Sequence, residues 1–325
     1  MRNDRAFPRA IALLVSVLLF LFFVSLLIGS SRIKLGNIFT SGSSDNIIFF
    51  SIRLPRATAA ALAGFAFSLS GLLLQSATGN DLASPNIIGM NSGAGCAVLL
   101  FLSCFPSLFM FLPLVAFVGG MLALLLVFSI ASLVSTRTSS SALILAGIAV
   151  NALFNAVIST ISSLDPDVMS SYSAFSVGGF ASVQASSLIV PSIIIAFSSV
   201  AVFSSAHLMD TIKLGDEIAS SMGYNPRAIR IMLSSFAALL AASAVSFSGL
   251  LGFVGLVTPH LAEYITAGRS CRKALVTVLA GMDLVLIADL LARTVIMPGE
   301  LPAGIFMAAV GVPFFIFLVV RRAKL

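Results

Sequence analysis

Charged side chains that could do chemistry are rare in this chain, and three of them lie within one apolar run. Asp283 and Asp289 are six residues apart, so a helix with 3.6 residues per turn places them on roughly opposite faces, and they form a poor catalytic pair. Asp289 and Arg293 are four apart and should form an intrahelical ion pair. Asp283 falls near the middle of the run, where a carboxylate costs about 2.5–3.5 kcal/mol in a membrane. It should therefore face protein or a wet cavity, or carry a proton.

Motifs for enzymatic chemistry are absent from the sequence. There is no G-x-x-x-x-G-K-[ST] phosphate loop and no G-x-S-x-G elbow. His207 and His260 have no evident catalytic partners, and the three cysteines follow no metal-binding spacing. We therefore expect no catalytic residue, no metal site, no cofactor and no ATP site in this chain.

The composition defines the class of protein that must position these residues. The chain has 325 residues, of which 59% are hydrophobic and 9% charged, with a mean hydropathy of +1.12, whereas soluble domains carry about 25% charged residues. Runs of about 20 apolar residues can cross the bilayer as helices. Ten such spans are predicted, near 10–29, 56–78, 87–104, 108–134, 142–163, 187–208, 231–249, 254–267, 273–296 and 303–320. The sequence thus predicts an all-α polytopic membrane protein forming a single transmembrane domain over 1–325.

The basic residues predict the orientation of the spans. With the N-terminus in the cytoplasm, 13 of the 18 Lys and Arg residues fall in cytoplasmic segments, as the positive-inside rule requires. They are Arg2, Arg5, Arg9, Arg137, Lys213, Arg227, Arg230, Arg269, Arg272, Lys273, Arg321, Arg322 and Lys324. Both termini should then be cytoplasmic. The net charge of +6 reflects these loops and does not indicate nucleic-acid binding.

Five basic residues remain outside: Arg32, Lys34, Arg53, Arg56 and Arg293. Arg53, Arg56 and Arg293 lie at the ends of spans, and exposed charges kept there against the topological bias suggest a docking surface for an acidic partner. The alternative is that their side chains reach lipid phosphates near the ends of the helices.

The segment between the sixth and seventh spans is the most polar part of the chain. Asp216 and Glu217 follow Gly215, a pattern typical of a helix start, while Gly223 and Pro226 should end the helix and turn the chain. We expect two short cytoplasmic helices near 214–230, which would contact a cytoplasmic partner.

Six ordered motifs together resemble a known family. They are "RLPR", "GNDLASPNIIGMNSGAG", "LILAGIAVNALF", "LGDEIASSMGYNPRAIR", "GFVGLVTPHLAEYI" and "ADLLART" with "GELPAGIFMAAVGVPFFIFLVVRR". Nearly the whole chain is similar to the FecCD family of ABC importer permeases for iron siderophores, haem and cobalamin. This resemblance implies a BtuC-like type II importer fold in the bacterial cytoplasmic (inner) membrane. The implied partners are a second permease copy, identical or closely related, two cytoplasmic ATPase subunits that bind ATP and Mg²⁺, and an extracytoplasmic substrate-binding protein.

The resemblance also assigns roles to individual residues. Arg53, Arg56 and Arg293 match the family's outward arginines, which pair with acidic residues of the binding protein. Four residues match two layers of a translocation gate: Asn80, Leu82, Ser140 and Ser141. Seven residues match the contact with the ATPase: Leu214, Gly215, Asp216, Glu217, Ala219, Gly223 and Arg227. Changing the three arginines to glutamate should abolish docking of the binding protein.

Two departures from the family pattern are visible. Asp81 stands where many members have proline, which frees a backbone donor and adds a charge beside the gate. A short external helix expected near 172–180 lacks the family's tryptophan, so Phe175 and Phe180 would serve any aromatic role.

The resulting interpretation is a permease that imports a metal chelate, ferric siderophore first, when its ATPases bind and hydrolyse ATP. Haem, cobalamin or an oxyanion are alternative cargoes. A secondary transporter would have the same apolar composition and would work without ATPase subunits.

Overall fold

The computed structural model describes residues 6–29, 31, 35–40, 43–86, 89–134, 140–266 and 270–322. All regular secondary structure in the described residues is helical. Its α-helices are α1 (Ala6–Leu27), α2 (Ser44–Ile47), α3 (Leu54–Thr78), α4 (Met90–Cys104), α5 (Leu112–Val134), α6 (Ser140–Leu164), α7 (Pro166–Val177), α8 (Ala185–Ser204), α9 (Ala206–Lys213), α10 (Asp216–Ser221), α11 (Pro226–Ser248), α12 (Val254–Ile265), α13 (Ser270–Thr294) and α14 (Ala303–Arg322).

The predicted all-α polytopic membrane fold is confirmed, because each of the ten predicted spans coincides with a helix. Seven helical segments within the described residues are long and apolar enough to cross a membrane, and α4 and α14 are shorter apolar helices. The helix α12, which corresponds to the predicted span at 254–267, has only 12 residues and contains Pro259. Of the basic residues that set the predicted orientation, Arg2, Arg5, Arg32, Lys34, Arg137, Arg269 and Lys324 lie outside the described residues.

Small residues allow α3 to lie at the centre of the bundle. A Cβ atom on Gly64 would stand 2.3 Å from the carbonyl oxygen of Gly281, and one on Gly71 would stand 1.9 Å from that of Gly255. Helix α3 therefore meets α13 and α12 backbone to backbone, which is the close packing that glycine permits between membrane helices. Most side chains of α3 are buried as a result.

The charged residues gather at two opposite ends of the bundle. Helix α3 begins beside Arg53 and Arg56 and ends at Thr78, whereas α13 runs the other way along the chain, from Ser270 to Thr294. We call the end that carries Arg53, Arg56 and Arg293 the arginine end. The other end carries α9 and α10, and we call it the short-helix end.

Three predicted ranges differ from the structure. The sixth span was expected to reach residue 208, but α8 ends at Ser204 and a short helix, α9, follows. The short helices therefore occupy 206–221, and α11 already begins at Pro226. The helix expected near 172–180 is α7, which begins at Pro166, capped by the Asp165 carboxylate, and ends at Val177.

Candidate functional sites at the two ends of the bundle

Asp289 is the centre of the arginine end. Its carboxylate is fully buried and lies between two guanidinium groups, with Oδ1 2.9 Å from Nη2 of Arg56 and Oδ2 3.0 Å from Nη2 of Arg293. The predicted intrahelical pair between Asp289 and Arg293 is thus confirmed. Arg293 also donates to the carbonyl oxygen of Ser25 at 3.1 Å. Charge-assisted hydrogen bonds of this kind fix both guanidinium planes.

Arg53 and Glu300 complete this arginine cluster. Arg53 donates to the carbonyl oxygens of Leu26, at 3.0 Å, and of Leu27 and Ser31. Glu300 accepts from Nη1 of Arg56 at 2.6 Å. Three guanidinium groups face two carboxylates, so the cluster keeps one net positive charge.

The expectation that these arginines are exposed is wrong. Arg53, Arg56 and Arg293 are 3%, 5% and 2% exposed within the single chain. They nevertheless line a pocket of about 240 Å³ together with Glu300 and Ser31. Their positive charge is therefore presented through a small opening and not on protruding side chains.

Local backbone geometry positions Arg53 and Arg56 in this pocket. Residues Ile48–Arg53 form a single stretch of π-helix that runs directly into α3. Such stretches are rare in proteins, and those that occur are often found at functional sites. Pro55 follows this stretch as the second residue of α3, and because the helical path is continuous, its missing N–H removes one backbone hydrogen bond there. Because Arg53 and Arg56 are three residues apart on one helical path, both point to the same side.

The predicted gate residues Asn80 and Leu82 lie in the loop after α3, at the short-helix end. Gly79 adopts the left-handed conformation that commonly ends a helix. The Asn80 side chain then accepts from the Leu82 N–H at 2.9 Å, and its own N–H donates to the Thr78 hydroxyl at 3.3 Å. Both residues are half-buried. Ser140 and Ser141 begin α6, and their side chains lie outside the described part of the structure.

The ATPase-contact residues predicted in the polar segment are divided between surface and interior. Leu214, Gly215, Asp216, Glu217, Gly223 and Arg227 are exposed, whereas Ala219 is fully buried. Ala219 thus supports the packing of α10 and cannot touch a partner. Sequence reasoning missed two exposed apolar neighbours, Ile218 and Met222, which are 50% and 54% exposed. Leu214, which is 52% exposed and precedes the turn at Gly215, is a third exposed apolar residue of this segment, and we call the three together the short-helix face.

Glycine is required at both turns of this segment. Gly215 has φ +99° and ψ 158°, a conformation essentially restricted to glycine, and Gly223 has φ +86°. Helix α10 begins at Asp216 as predicted, with Asp216 and Glu217 in its first turn. The acidic side chains suit the positive end of the helix dipole.

A polar network fastens α9 to the start of α13. Asp210 accepts from the N–H and the hydroxyl of Ser270 at 2.9 and 2.6 Å, and Lys213 donates to the same hydroxyl at 2.8 Å. Desolvation, and then the charge of Lys273, lowers the pKa of Lys213, while Asp210 and Asp81 act in the opposite direction. The aspartate that departs from the family pattern is therefore electrostatically close to the short helices.

Two further features lie between the ends. Asp283 is 6% exposed, which confirms that it faces protein, and its carboxylate has no hydrogen-bond partner among the described residues. A cavity of about 400 Å³ lies where α7 and α14 meet the loop before α12, and Phe253 and Asn86 contribute to its wall. Phe180, expected to serve an aromatic role, is 1% exposed and belongs to the core.

A bundle of apolar spans with a charged pocket at one end and exposed short helices at the other is typical of a multi-pass membrane protein. The chain belongs to the FecCD transport family, whose sequence profile matches residues 17–321.

The similarity to known proteins covers most or nearly all of the chain. The hemin transport system permease protein HmuU of Yersinia pestis is 32% identical over 99% of this chain and 98% of its own length. The Fe(3+) dicitrate transport system permease protein FecC of Escherichia coli strain K12 is 35% identical over 84% of this chain and 82% of its own. A metal-chelate type ABC transporter solved in an inward-facing conformation is 27% identical, with a TM-score of 0.84 over 97% of this chain and 99% of that one.

Proposed function

We propose that the chain is the permease subunit of an ATP-driven importer that carries a metal chelate, ferric siderophore first, from a binding protein to the cytoplasm. Family membership carries this proposal, because the similar permeases are named for hemin and for iron-citrate transport. Haem, cobalamin or an oxyanion remain alternative cargoes. In the proposed assembly, two permease copies, identical or closely related, span the bacterial inner membrane with their termini in the cytoplasm, and two separate ATPase subunits hold ATP and Mg²⁺.

A polar stripe on α6 supports a cargo path with weak affinity. Asn155, Ser159 and Ser163 are exposed at intervals of four residues on the mainly apolar helix α6, and an amide such as that of Asn155 is costly to expose to lipid. Amide and hydroxyl groups can pass a chelate without holding its metal. Rings of carboxylates, which select bare cations in channels, are not needed for such a cargo.

The short-helix face is the proposed contact with the ATPase subunits. It presents Leu214, Ile218 and Met222, all at least half exposed, at the end of the bundle away from the arginine cluster. Apolar residues exposed among charges are typical of protein interfaces. The gate at Asn80 and Leu82 lies at the same end.

Replacing Ile218 with aspartate should weaken binding of the ATPase subunits. Burying an isoleucine side chain contributes about 1.5–3 kcal/mol, so we expect the affinity to fall by roughly 10- to 100-fold. Copurification of the tagged permease with its ATPase measures the effect. The matched control is Phe39→Asp, because Phe39 is 84% exposed in the segment between α1 and α3, near the arginine end. If the two variants copurify equally with the ATPase, the short-helix face is not part of the ATPase interface.

The arginine pocket is the proposed docking site for an acidic residue of the binding protein. The net positive charge of the pocket and its volume of about 240 Å³ suit a single carboxylate, which accepts bidentate hydrogen bonds from arginine. The three arginines also hold Asp289 and the end of α1, so changing all three to glutamate would unfold this end. A test of docking must leave them in place.

Glu300→Gln is such a test. The substitution removes one negative charge beside Arg56, and the Glu300 side chain is 26% exposed, so the fold should tolerate it. We expect docking of the cognate binding protein to tighten by about two- to fivefold at low salt, with the difference shrinking as salt is added. Binding-protein affinity for the permease in detergent, measured across a salt series, checks this.

The control for Glu300→Gln is Glu263→Gln. Glu263 forms a similar ion pair with Lys273, 3.3 Å away, at the opposite end of the bundle, and its removal should leave docking unchanged. If both variants bind the binding protein as the unmodified permease does at low salt, the arginine pocket is not the docking site.

A further inference from the structure

Arg230 connects the short helices to the predicted gate. It lies in the second turn of α11, and its Nη2 is 2.9 Å from Oδ1 of Asp216, the first residue of α10. Its Nη1 donates to the carbonyl oxygen of Ala77 at the end of α3. One rigid guanidinium group therefore holds two elements that are more than a hundred residues apart in the chain.

The Ala77 carbonyl is a specific place for a cation to bind. The last four carbonyl groups of a helix lack partners within the helix, and a positive charge there is stabilised by the helix dipole. The chain then turns at Gly79, and the loop is tied back to α3 by the bond from the Asn80 N–H to the Thr78 hydroxyl. A shift of the Ala77 peptide must consequently move Asn80 and the Leu82 N–H that its side chain holds.

Burial makes this bridge stiff on one side and accessible on the other. The Arg230 side chain is 14% exposed, whereas that of Asp216 is 60% exposed. The Nε group of Arg230 is buried and has no partner among the described residues. The guanidinium group is thus held inside the protein, while the Asp216 carboxylate with which it pairs lies on the surface that we propose contacts the ATPase.

We infer that Arg230 is a positioning residue for transport, which transmits displacement of α10 through Ala77 to the gate loop at 79–83. This inference rests on the proposed function. ATP can drive a conformational change only through contacts that differ between nucleotide states, and Asp216 is a contact that the ATPase can change. The hydrogen bonds of Asp210 attach α9 to Ser270 of α13, whereas Arg230 donates directly to the last turn of α3, which continues into the gate loop.

The test compares transport with ATP hydrolysis in the assembled, reconstituted transporter. Arg230→Met removes both contacts and keeps the length of the side chain. We expect the amount of cargo moved per ATP to fall by about tenfold, while hydrolysis stays within about twofold. Arg230→Lys and Asp216→Asn should lie between Arg230→Met and the unmodified protein. Ser270→Ala, which loosens α9 from α13, should leave the ratio of transport to hydrolysis unchanged.

A second readout separates coupling from folding. Spin labels on Leu82→Cys in both permease copies, with the native cysteines replaced by serine, report the gate distance with and without ATP. The gate distance should change on ATP addition in the unmodified permease and stay constant in Arg230→Met. If Arg230→Met does not fold, Asp216→Asn serves instead, because its carboxylate is exposed, and it should show a smaller change in distance. The inference would be overturned if these variants kept the normal ratio of transport to ATP hydrolysis and the normal ATP-dependent change in the gate distance. It would also be overturned if ATP hydrolysis, transport and assembly were all lost together. Failure of the unmodified complex to transport with ATP would instead overturn the proposed function.

Discussion

Replacing Asp289 with asparagine is expected to destabilise the folded protein by about 3–5 kcal/mol. The Asp289 carboxylate is fully buried and is paired with both Arg56 and Arg293. Asparagine has nearly the same shape but no charge, so two buried guanidinium groups would lose their shared counter-ion. The remaining carboxylate, Glu300, forms an ion pair with Arg56 and is 26% exposed, so it does not replace the buried counter-ion. Thermal unfolding followed with a thiol-reactive dye checks the prediction, because the chain has no tryptophan and Cys96 is buried.

Asp216→Asn provides the matched control for this prediction. It removes the same charge from another aspartate–arginine pair, but the Asp216 side chain is 60% exposed, and exposed pairs contribute less than about 1 kcal/mol. The unfolding midpoint should fall far more for Asp289→Asn than for Asp216→Asn. Equal midpoints would mean that the buried pairs contribute no more than a surface pair.

Replacing Gly71 with alanine should prevent α3 and α12 from packing as they do. The new Cβ would stand 1.9 Å from the Gly255 carbonyl oxygen and 2.4 Å from its Cα, and both atoms are backbone, so neither can move aside as a side chain would. Separating two helices in a packed core costs more than the 1–3 kcal/mol typical of an overpacked side chain. We expect little or no folded protein, which size-exclusion chromatography of the detergent-solubilised chain measures.

Gly120→Ala is the corresponding control within the membrane. The atoms closest to its new Cβ would be 3.6 Å away, an ordinary contact distance, so the variant should elute as the unmodified chain does. A folded Gly71→Ala protein with the same elution and thermal midpoint as Gly120→Ala would contradict the close α3–α12 contact.

The spans could be predicted from the sequence because the bilayer sets their length and composition. Each of the ten predicted apolar segments became a helix. The pair between Asp289 and Arg293 was also predictable, since a separation of four residues fixes both on one helix face. Arg56 reaches the same carboxylate from 233 residues away, and no local pattern reveals such a partner. The burial of the three arginines was therefore missed.

The short helices show the same division between local and tertiary signals. The acidic start at Asp216 and the turns at Gly215 and Gly223 were predicted from residue type alone, because they depend on helix caps and backbone conformation. The extent of α9 was missed, since its apolar residues continue those of the sixth span without a charged break. The short-helix face has a weaker sequence signal, namely that Leu214, Ile218 and Met222 are apolar residues within a polar segment.

The central claim is that this permease imports its cargo at the expense of ATP through partner ATPases. The most direct test is uptake of a radiolabelled ferric siderophore into proteoliposomes that contain the permease and its ATPase, with the binding protein outside and ATP inside. We predict uptake that requires both ATP and the binding protein and that continues when ionophores collapse the ion gradients. Uptake by the permease without ATPase subunits, driven by a proton or ion gradient, would contradict the account.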